Sequence, residues 1–590
     1  MNEVWSLDAL YTGFDSEKFQ QDFEVLKRLC KDCKTYVETM AQDKPLTAAR
    51  TYLDYSEKIN LLGNTMVIYA MLRQSADTGD KEARSWIGRV MALLSEMAGP
   101  DAAAQQYLAA LPNLDELIGQ DPLLGEYAYL LHNIKKNSRF LLRPREEEIL
   151  AKMSLSGADA WNQLWETLTS TVQVEYRGGT ETLSSIRNLA YSADQAVRKD
   201  AYEAELRAYE KIKDGGAFSM NSIKLETLNE CRLRGYRSPL DRSLRQAHMK
   251  QETLDALLGA MEAYLPVFWD YLRAKGKALG HENGLPWYDL FAPMGASGKK
   301  YTTAEARDYL LRIFGGFDRE LRDMMDRAFR DAWIDFYPRA GKVGGAFCCE
   351  VYAAKQSRVL ANFGGDFGDL VTLAHELGHA FHNEMLFDHR ILNLDLPMPL
   401  AETASTFNEN VLVSAAIAAA TDPGEKLALI ENQLMDACQI ICDIYSRFLF
   451  EKSVFESRDE QFLSADDLCE KMLAAQKTAY GSGLDQDALH PYMWLCKSHY
   501  YSGGLSYYNF PYAFGGLFAR GLYAMYREEG ASFVPKYKAL LRATTVMDAE
   551  EAARVCGVDL TDKAFWEKGL RSFAEEIGEY QALLGNTGKF

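Results

Sequence analysis

Two histidines four residues apart, with a glutamate directly after the first, stand in Val371-Thr-Leu-Ala-His375-Glu376-Leu-Gly-His379-Ala-Phe-His382. On an α-helix, residues four apart stack on one face, about 6 Å apart along the axis. The imidazoles of His375 and His379 can therefore point at one metal ion. Glu376, one step round the helix, lies beside that metal and can act as general base on a water held against it. A helical wheel separates this face from an apolar stripe. Leu370, Leu373, Ala374, Leu377 and Phe381 cluster on the opposite side, which reads as the core face. Core histidines would sit among the leucines; these two do not.

A catalytic zinc usually takes three protein ligands and keeps one position for water. The third ligand must come from outside the two-histidine turn. The longer His-Glu-x-x-His-x-x-Gly-x-x-His pattern fails, because His382 stands at its Gly position and Met385 at its third His. His382 shares a side with His375 but sits about 10 Å further along the axis, so it is expected to support a ligand or to be exposed. The next polar helix face is Leu400-Ala-Glu402-Thr-Ala-Ser405-Thr406-Phe-Asn-Glu409, after Pro397 and Pro399. Glu402, Ser405, Thr406 and Glu409 fall on one side; Ala404, Phe407 and Val411 fall on the other. Two acids in an otherwise Ala- and Val-rich helix suggest a buried site rather than a solvated face. They are too far apart to share a metal. Glu402 is expected as the third ligand of one zinc per chain, and Glu409 as an acid that orients a ligating histidine.

The elements that must hold these residues are mostly helical. The chain has 590 residues, 47% hydrophobic and 25% charged, enough for more than one core and typical of a globular protein. A net charge of −19 disfavours nucleic acid and anionic membrane as partners. The N-terminus lacks an apolar targeting segment, and the longest apolar run, Val411 to Ala420, is half a membrane span; a cytoplasmic location is expected. Ten cysteines show no disulfide framework, and Cys30-x-x-Cys33 lacks a second pair, so they read as reduced helix residues.

Apolar residues at three- and four-residue spacing predict helices over Phe19–Met40, Ala48–Met71, Lys81–Met97 and Arg145–Thr167. Thr171 to Tyr176 alternates and ends at Arg177-Gly178-Gly179, a strand and turn. Ser192 to Gln195 reads as a capping box opening a long helix, and a domain boundary is placed near residue 190. Loops are expected at Gly280–Pro286, with His281 solvated, and at Pro293–Lys300. Thr302 and Glu305 cap the helix that follows. Ser357 to Phe363 reads as a strand turning at Gly364-Gly365 into the metal helix. It is either an ordinary sheet strand or one able to pair with an extended peptide.

A second unusual stretch is His499-Tyr-Tyr-Ser-Gly503-Gly504-Leu505-Ser-Tyr507-Tyr508-Asn-Phe-Pro511-Tyr512. Peptide hydrolysis builds an oxyanion, which a Tyr hydroxyl or His N–H can stabilise. Gly503-Gly504 gives backbone freedom for a closing loop, and Pro511 suits a helix start. The alternative is plain aromatic core.

The His375 motif followed by Glu402-Thr-Ala-Ser405 resembles the oligoendopeptidase F branch of the thimet-oligopeptidase family of zinc peptidases. Trp5-Ser-Leu-Asp-Ala-Leu-Tyr11, Trp287-Tyr-Asp-Leu-Phe-Ala-Pro293, and Gly345-Ala-Phe347 with Ser357-Arg-Val359 resemble further segments of that family. The resemblance implies a mainly α, two-lobed protein with a deep channel, zinc at its floor and a small β-sheet beside the active-site helix. Residues 1–190 would form an N-terminal helical lobe and 191–590 the catalytic domain. It also implies endopeptidase action on short oligopeptides, with His499 and Tyr512 as substrate and transition-state contacts. Tyr508 or Tyr507 would add a further contact; Leu505 stands where the thimet branch has another Tyr. The rival readings are a peptidyl-dipeptidase of the same fold and a peptide-binding protein that holds metal without catalysis.

Overall fold

The computed structural model describes residues 3–295 and 299–586. Helix makes up 72% of it, with only small sheets, so the mainly α expectation holds. Residues 296–298 of the loop expected at Pro293–Lys300 lie outside the described residues. Two compact units are interleaved along the chain. The first gathers Met1–Leu141, Gly298–Leu412 and Glu529–Gly557; the second gathers Leu142–Ser297, Val413–Glu528 and Val558–Phe590. Residue 190 falls inside the second unit, and the first division along the chain comes after Leu141.

The first unit begins with amphipathic helices. Helix Glu17–Val37 is capped by Ser16, whose hydroxyl accepts from Phe19 N, and buries Phe19, Leu26, Cys30 and Cys33 on one face. Helix Pro45–Ala76 opens on a proline at its first turn, where the missing N–H costs nothing. Rings of Tyr11, Phe14, Phe19, Tyr69 and Trp86 meet edge-on at about 5 Å in several pairs, the geometry favoured by aromatic quadrupoles.

A three-stranded sheet follows. Strand Gln356–Leu360 is its middle member, parallel to Ile334–Asp335 and antiparallel to Phe347–Val351. Of its two readings, the ordinary sheet strand holds and the peptide-pairing one does not: both its sides are taken, and the sheet edges are Ile334–Asp335 and Phe347–Val351. Gly365, at φ +87°, then turns the chain into helix Phe367–Leu386. A Cβ there would meet Tyr301 O at 2.7 Å, so the turn needs glycine. Asp369 closes the helix start, its carboxylate accepting from Asp366 N at 2.9 Å. Leu370, Leu373, Ala374, Leu377 and Phe381 are all buried, as the wheel predicts.

In the second unit the strand and turn expected after residue 171 form a hairpin, Val174–Tyr176 with Gly179–Glu181. Its two-residue turn uses Arg177 at φ +45° and Gly178 at φ +81°. The long helix runs Gln195–Arg234 and is capped by Asp194, not Ser192; Ser192 Oγ instead accepts from Asp194 N. His281 is not merely solvated. Its Nε2 lies 2.7 Å from Asp289 Oδ2, and the other Asp289 oxygen accepts from buried Arg198. No disulfide forms among the described residues, and no described helix is long and apolar enough to cross a membrane.

Candidate metal centre and catalytic residues

Helix Phe367–Leu386 carries His375, Glu376 and His379; the third donor comes from a break between two helices. Met398–Ala401 ends at Glu402, and Thr403–Ala419 begins at once. The two helices approach closely because residue 378 is glycine. A Cβ there would stand 2.6 Å from Ala404 O and from Ser405 Cα. Buried Asn408 fixes the crossing by donating to Ala374 O at 3.0 Å. A polar crosslink between buried helices of this kind leaves neither group unsatisfied. Neither Gly378 nor Asn408 was assigned a task from sequence, although each stands next to a motif residue.

The geometry that results is compact. His375 Nε2 and His379 Nε2 are 3.2 Å apart. Glu402 Oε2 is 3.3 Å from the first and 3.2 Å from the second. A tetrahedral zinc with bonds of about 2.0–2.1 Å has edges of about 3.3–3.4 Å, so the donor set fits such an ion. His375 Nδ1 lies 2.5 Å from Glu409 Oε1. With the proton on Nδ1, the Nε2 lone pair faces its neighbours. Two imidazole lone pairs and a carboxylate converging on one point repel one another unless a cation lies between them.

The electrostatics agree. Burial opposes the ionisation of Glu402, but the two histidines and a hydrogen bond from Ser405 Oγ at 2.7 Å hold its carboxyl well below the usual range. Burial likewise disfavours His375 as a cation, yet Glu402 and Glu409 outweigh it and push the ring up to about 10. The site calls for positive charge. Glu376 is 6% exposed, and burial raises its carboxyl against the pull of both histidines.

His382 departs from expectation. It is fully buried, its Nε2 lies 2.8 Å from Thr544 Oγ1, and burial lowers its pKa to about 3. It is a neutral core residue between the helix and the 544 segment, far too enclosed to be an exposed group.

The late aromatic residues belong to the second unit. The rings of His499 and Tyr508 are 5.0 Å apart, Tyr508 and Tyr512 5.7 Å, and His499 and Tyr512 6.2 Å. Tyr507 turns the other way. At φ +53°, it is buried against Phe448 and Phe455. The structure thus groups Tyr508, and not Tyr507, with His499 and Tyr512. At Gly503-Gly504, Arg242 donates to Gly503 O at 2.9 Å, and Ser243 Oγ donates to Ser506 O at 2.6 Å. Pro511 lies in the first turn of helix Phe510–Glu529.

A mainly helical chain that presents His-Glu-x-x-His and a following glutamate as convergent donors has the make-up of a metallopeptidase. Residues 317–572 match peptidase family M3, and residues 112–173 match the family described as oligopeptidase F. The chain thus resembles peptidase family M3, in its oligopeptidase F branch. Oligopeptidase PepF of Bacillus subtilis (strain 168) is 23% identical, covering 99% of this chain and 87% of its own. Group B oligopeptidase PepB of Streptococcus agalactiae serotype III (strain NEM316) is 25% identical, covering 90% and 89%. Among solved structures, one from Chlamydophila abortus has a TM-score of 0.85 at 21% identity, covering 98% of both chains. Oligoendopeptidase-F from Enterococcus faecium has a TM-score of 0.71 at 20% identity, covering 97% of this chain and 99% of its own. These likenesses establish the fold.

Proposed function

We propose that the chain is a zinc-dependent endopeptidase that hydrolyses internal bonds of short oligopeptides. The observation that carries this reading is the convergence of His375 Nε2, His379 Nε2 and Glu402 Oε2 within 3.3 Å of one another, with Glu376 beside them. Those three residues would hold the ion. When bound, zinc supplies Lewis acidity that polarises the scissile carbonyl and lowers the pKa of water. Glu409 keeps the His375 ring in the tautomer that leaves Nε2 free. Glu376 accepts a proton from the attacking water and passes it to the departing amine. Burial raises its affinity for that proton, which suits both halves of the transfer. An extended peptide would lie along the edge strand Phe347–Val351 by backbone pairing. His499 and Tyr512, with Tyr508 beside them, would donate to the developing oxyanion; the family resemblance supports this assignment. The names of the relatives, oligopeptidase and oligoendopeptidase, support short peptides and internal bonds.

The test is Glu376→Gln, with products from a mixed peptide library read by mass spectrometry. The amide is nearly isosteric but cannot take the proton. Retained zinc with turnover reduced to near background is expected, while wild type yields internal cleavages that a chelator abolishes. Products that are only C-terminal dipeptides would replace the endopeptidase reading with a dipeptidase one. No cleavage by zinc-loaded wild type would leave a peptide binder.

A further inference from the structure

A second set of metal-ligating side chains lies in the second unit, on residues the peptidase reading does not use. Glu205 projects from helix Gln195–Arg234; His490 and Cys496 come from the segment before His499. One donor atom from each lies within 4.8 Å of the others. Glu205 Oε1 is 3.5 Å from His490 Nε2 and 3.8 Å from Cys496 Sγ. With bonds of about 2.3 Å to sulfur and 2.0–2.1 Å to nitrogen and oxygen, a tetrahedral zinc spans about 3.3 Å between N and O and about 3.6 Å between S and O. These two separations match such a site to a few tenths of an ångström, and the third, between His490 and Cys496, lies within 4.8 Å.

The independent observation is the state of His490. The residue is 1% exposed; its Nδ1 has no hydrogen-bond partner among the described residues, and its Nε2 has only the 3.5 Å ion-pair contact with Glu205 Oε1. Its ring is caged by Tyr202, Tyr209 and Trp287 at 5.7–6.0 Å between centroids. Its backbone is pinned on both sides by the buried Gln476 amide, at 2.9 and 3.1 Å. Leaving a rigidly placed, buried imidazole nitrogen without a partner is destabilising. Such a group calls for an explanation, and an ion is one. The bland alternative is a hydrogen-bonded network: Cys496 close to Tyr209 Oη at 3.0 Å, and Arg187 Nε 3.3 Å from the same Glu205 oxygen. That network satisfies Glu205 and the thiol, but it leaves His490 Nδ1 without a partner and gives Nε2 only the long 3.5 Å contact with Glu205.

We propose that Glu205, His490 and Cys496 form a second, structural metal site for a thiolate-preferring divalent cation, Zn²⁺ above all. Carboxylate, thiolate and neutral imidazole together balance the two positive charges of the ion. The Cys496 proton leaves to solvent on binding, as metal sites require. Burial keeps that thiol protonated otherwise, up to about 11. Arg187 and Lys497 are the opposing charges. Arg187 would keep one lone pair of the Glu205 carboxylate while the cation takes another. A cavity of about 470 Å³, lined by Glu205, His490, Arg187 and Lys497 among others, gives access and room for a fourth ligand. The site would tie the long helix to the turn that carries His499, three residues after Cys496.

Cobalt titration of the full chain tests this, because a thiolate–Co²⁺ bond gives a near-ultraviolet charge-transfer band that the His375–His379–Glu402 donors cannot give. Wild type, stripped and reloaded, should bind two Co²⁺ per chain and show the band. Cys496→Ser should bind one and lose it, as should His490→Gln. His375→Ala/His379→Ala should bind one and keep the band, which separates this site from the proposed catalytic one. Circular dichroism checks folding. If Cys496→Ser does not fold, wild type and the double variant decide. One Co²⁺ per wild-type chain without the band, or a band that survives Cys496→Ser, overturns the proposal.

Discussion

Removing the carboxylate of Glu409 probes the centre without touching a proposed ligand. Glu409 Oε1 sits 2.5 Å from His375 Nδ1, so it fixes the ring's tautomer and orientation and raises its basicity. In Glu409→Ala both tautomers become available and the ring can swing. Losses of this kind run ~10–100-fold in metal affinity, or roughly 1.4–2.7 kcal/mol. Glu409→Gln keeps an acceptor oxygen but no charge and should fall near the low end of that ~10-fold to 100-fold range. Glu402→Ala is different in kind. It deletes an anionic donor from a proposed centre whose metal binding is worth roughly 10–16 kcal/mol by analogy with four-ligand sites, about 2.5–4 kcal/mol per ligand. It should therefore weaken zinc by ~100-fold or more. The assay is competition against chelators of graded affinity, with metal content measured on the same samples. The expected order is Glu402→Ala weakest, then Glu409→Ala, then Glu409→Gln. Wild-type affinity in Glu402→Ala, or a larger loss in Glu409→Ala than in Glu402→Ala, would refute the assignment of roles.

Gly378→Ala should push the two site helices apart, because the new Cβ meets backbone at 2.6 Å; a loss of roughly 1–3 kcal/mol and lowered zinc content are expected. Gly368→Ala, on the same helix with nothing within 4 Å, is the matched control and should be neutral or slightly stabilising; equal Tm loss in both would sink the close-approach argument. His382, lowered to about 3 in the fold from 6.5, contributes stability that is complete above pH 6.5 and is lost as pH falls toward 3. Relative to His382→Asn, wild type should lose roughly 2.5 kcal/mol of its advantage between pH 7 and pH 4.5, read as a narrowing Tm gap; a pH-independent gap contradicts the buried neutral ring. Tyr512→Phe should lower kcat by ~100–1,000-fold with little change in KM and unchanged zinc. A normal kcat would return Tyr512 to packing and make Tyr508 the next candidate.

Local periodicity encodes which side of an element is apolar, and the sequence determined everything that depends on that alone. The helical character, the leucine stripe behind His375 and His379, and the separation of Glu402 from Glu409 all follow from a 3.6-residue repeat. Arg177-Gly178 foretold a tight turn because its conformations suit few residues. What covers each face is a long-range matter, and there only the tertiary structure decided. His382 projects from the same helix as the proposed ligands, yet the chain returns 162 residues later with Thr544 to bury it. Strand Gln356–Leu360 reads the same whether central or at an edge; pairing with residues 334–335 makes it central. Tyr507 and Tyr508 are adjacent and chemically identical, and a single left-handed residue sends one into the core and leaves the other beside His499. Glu205 and Cys496 carry no spacing signal across 291 positions. They meet because the fold stacks the segment before His499 on the long helix, and a donor set assembled from distant segments has no periodicity to betray it.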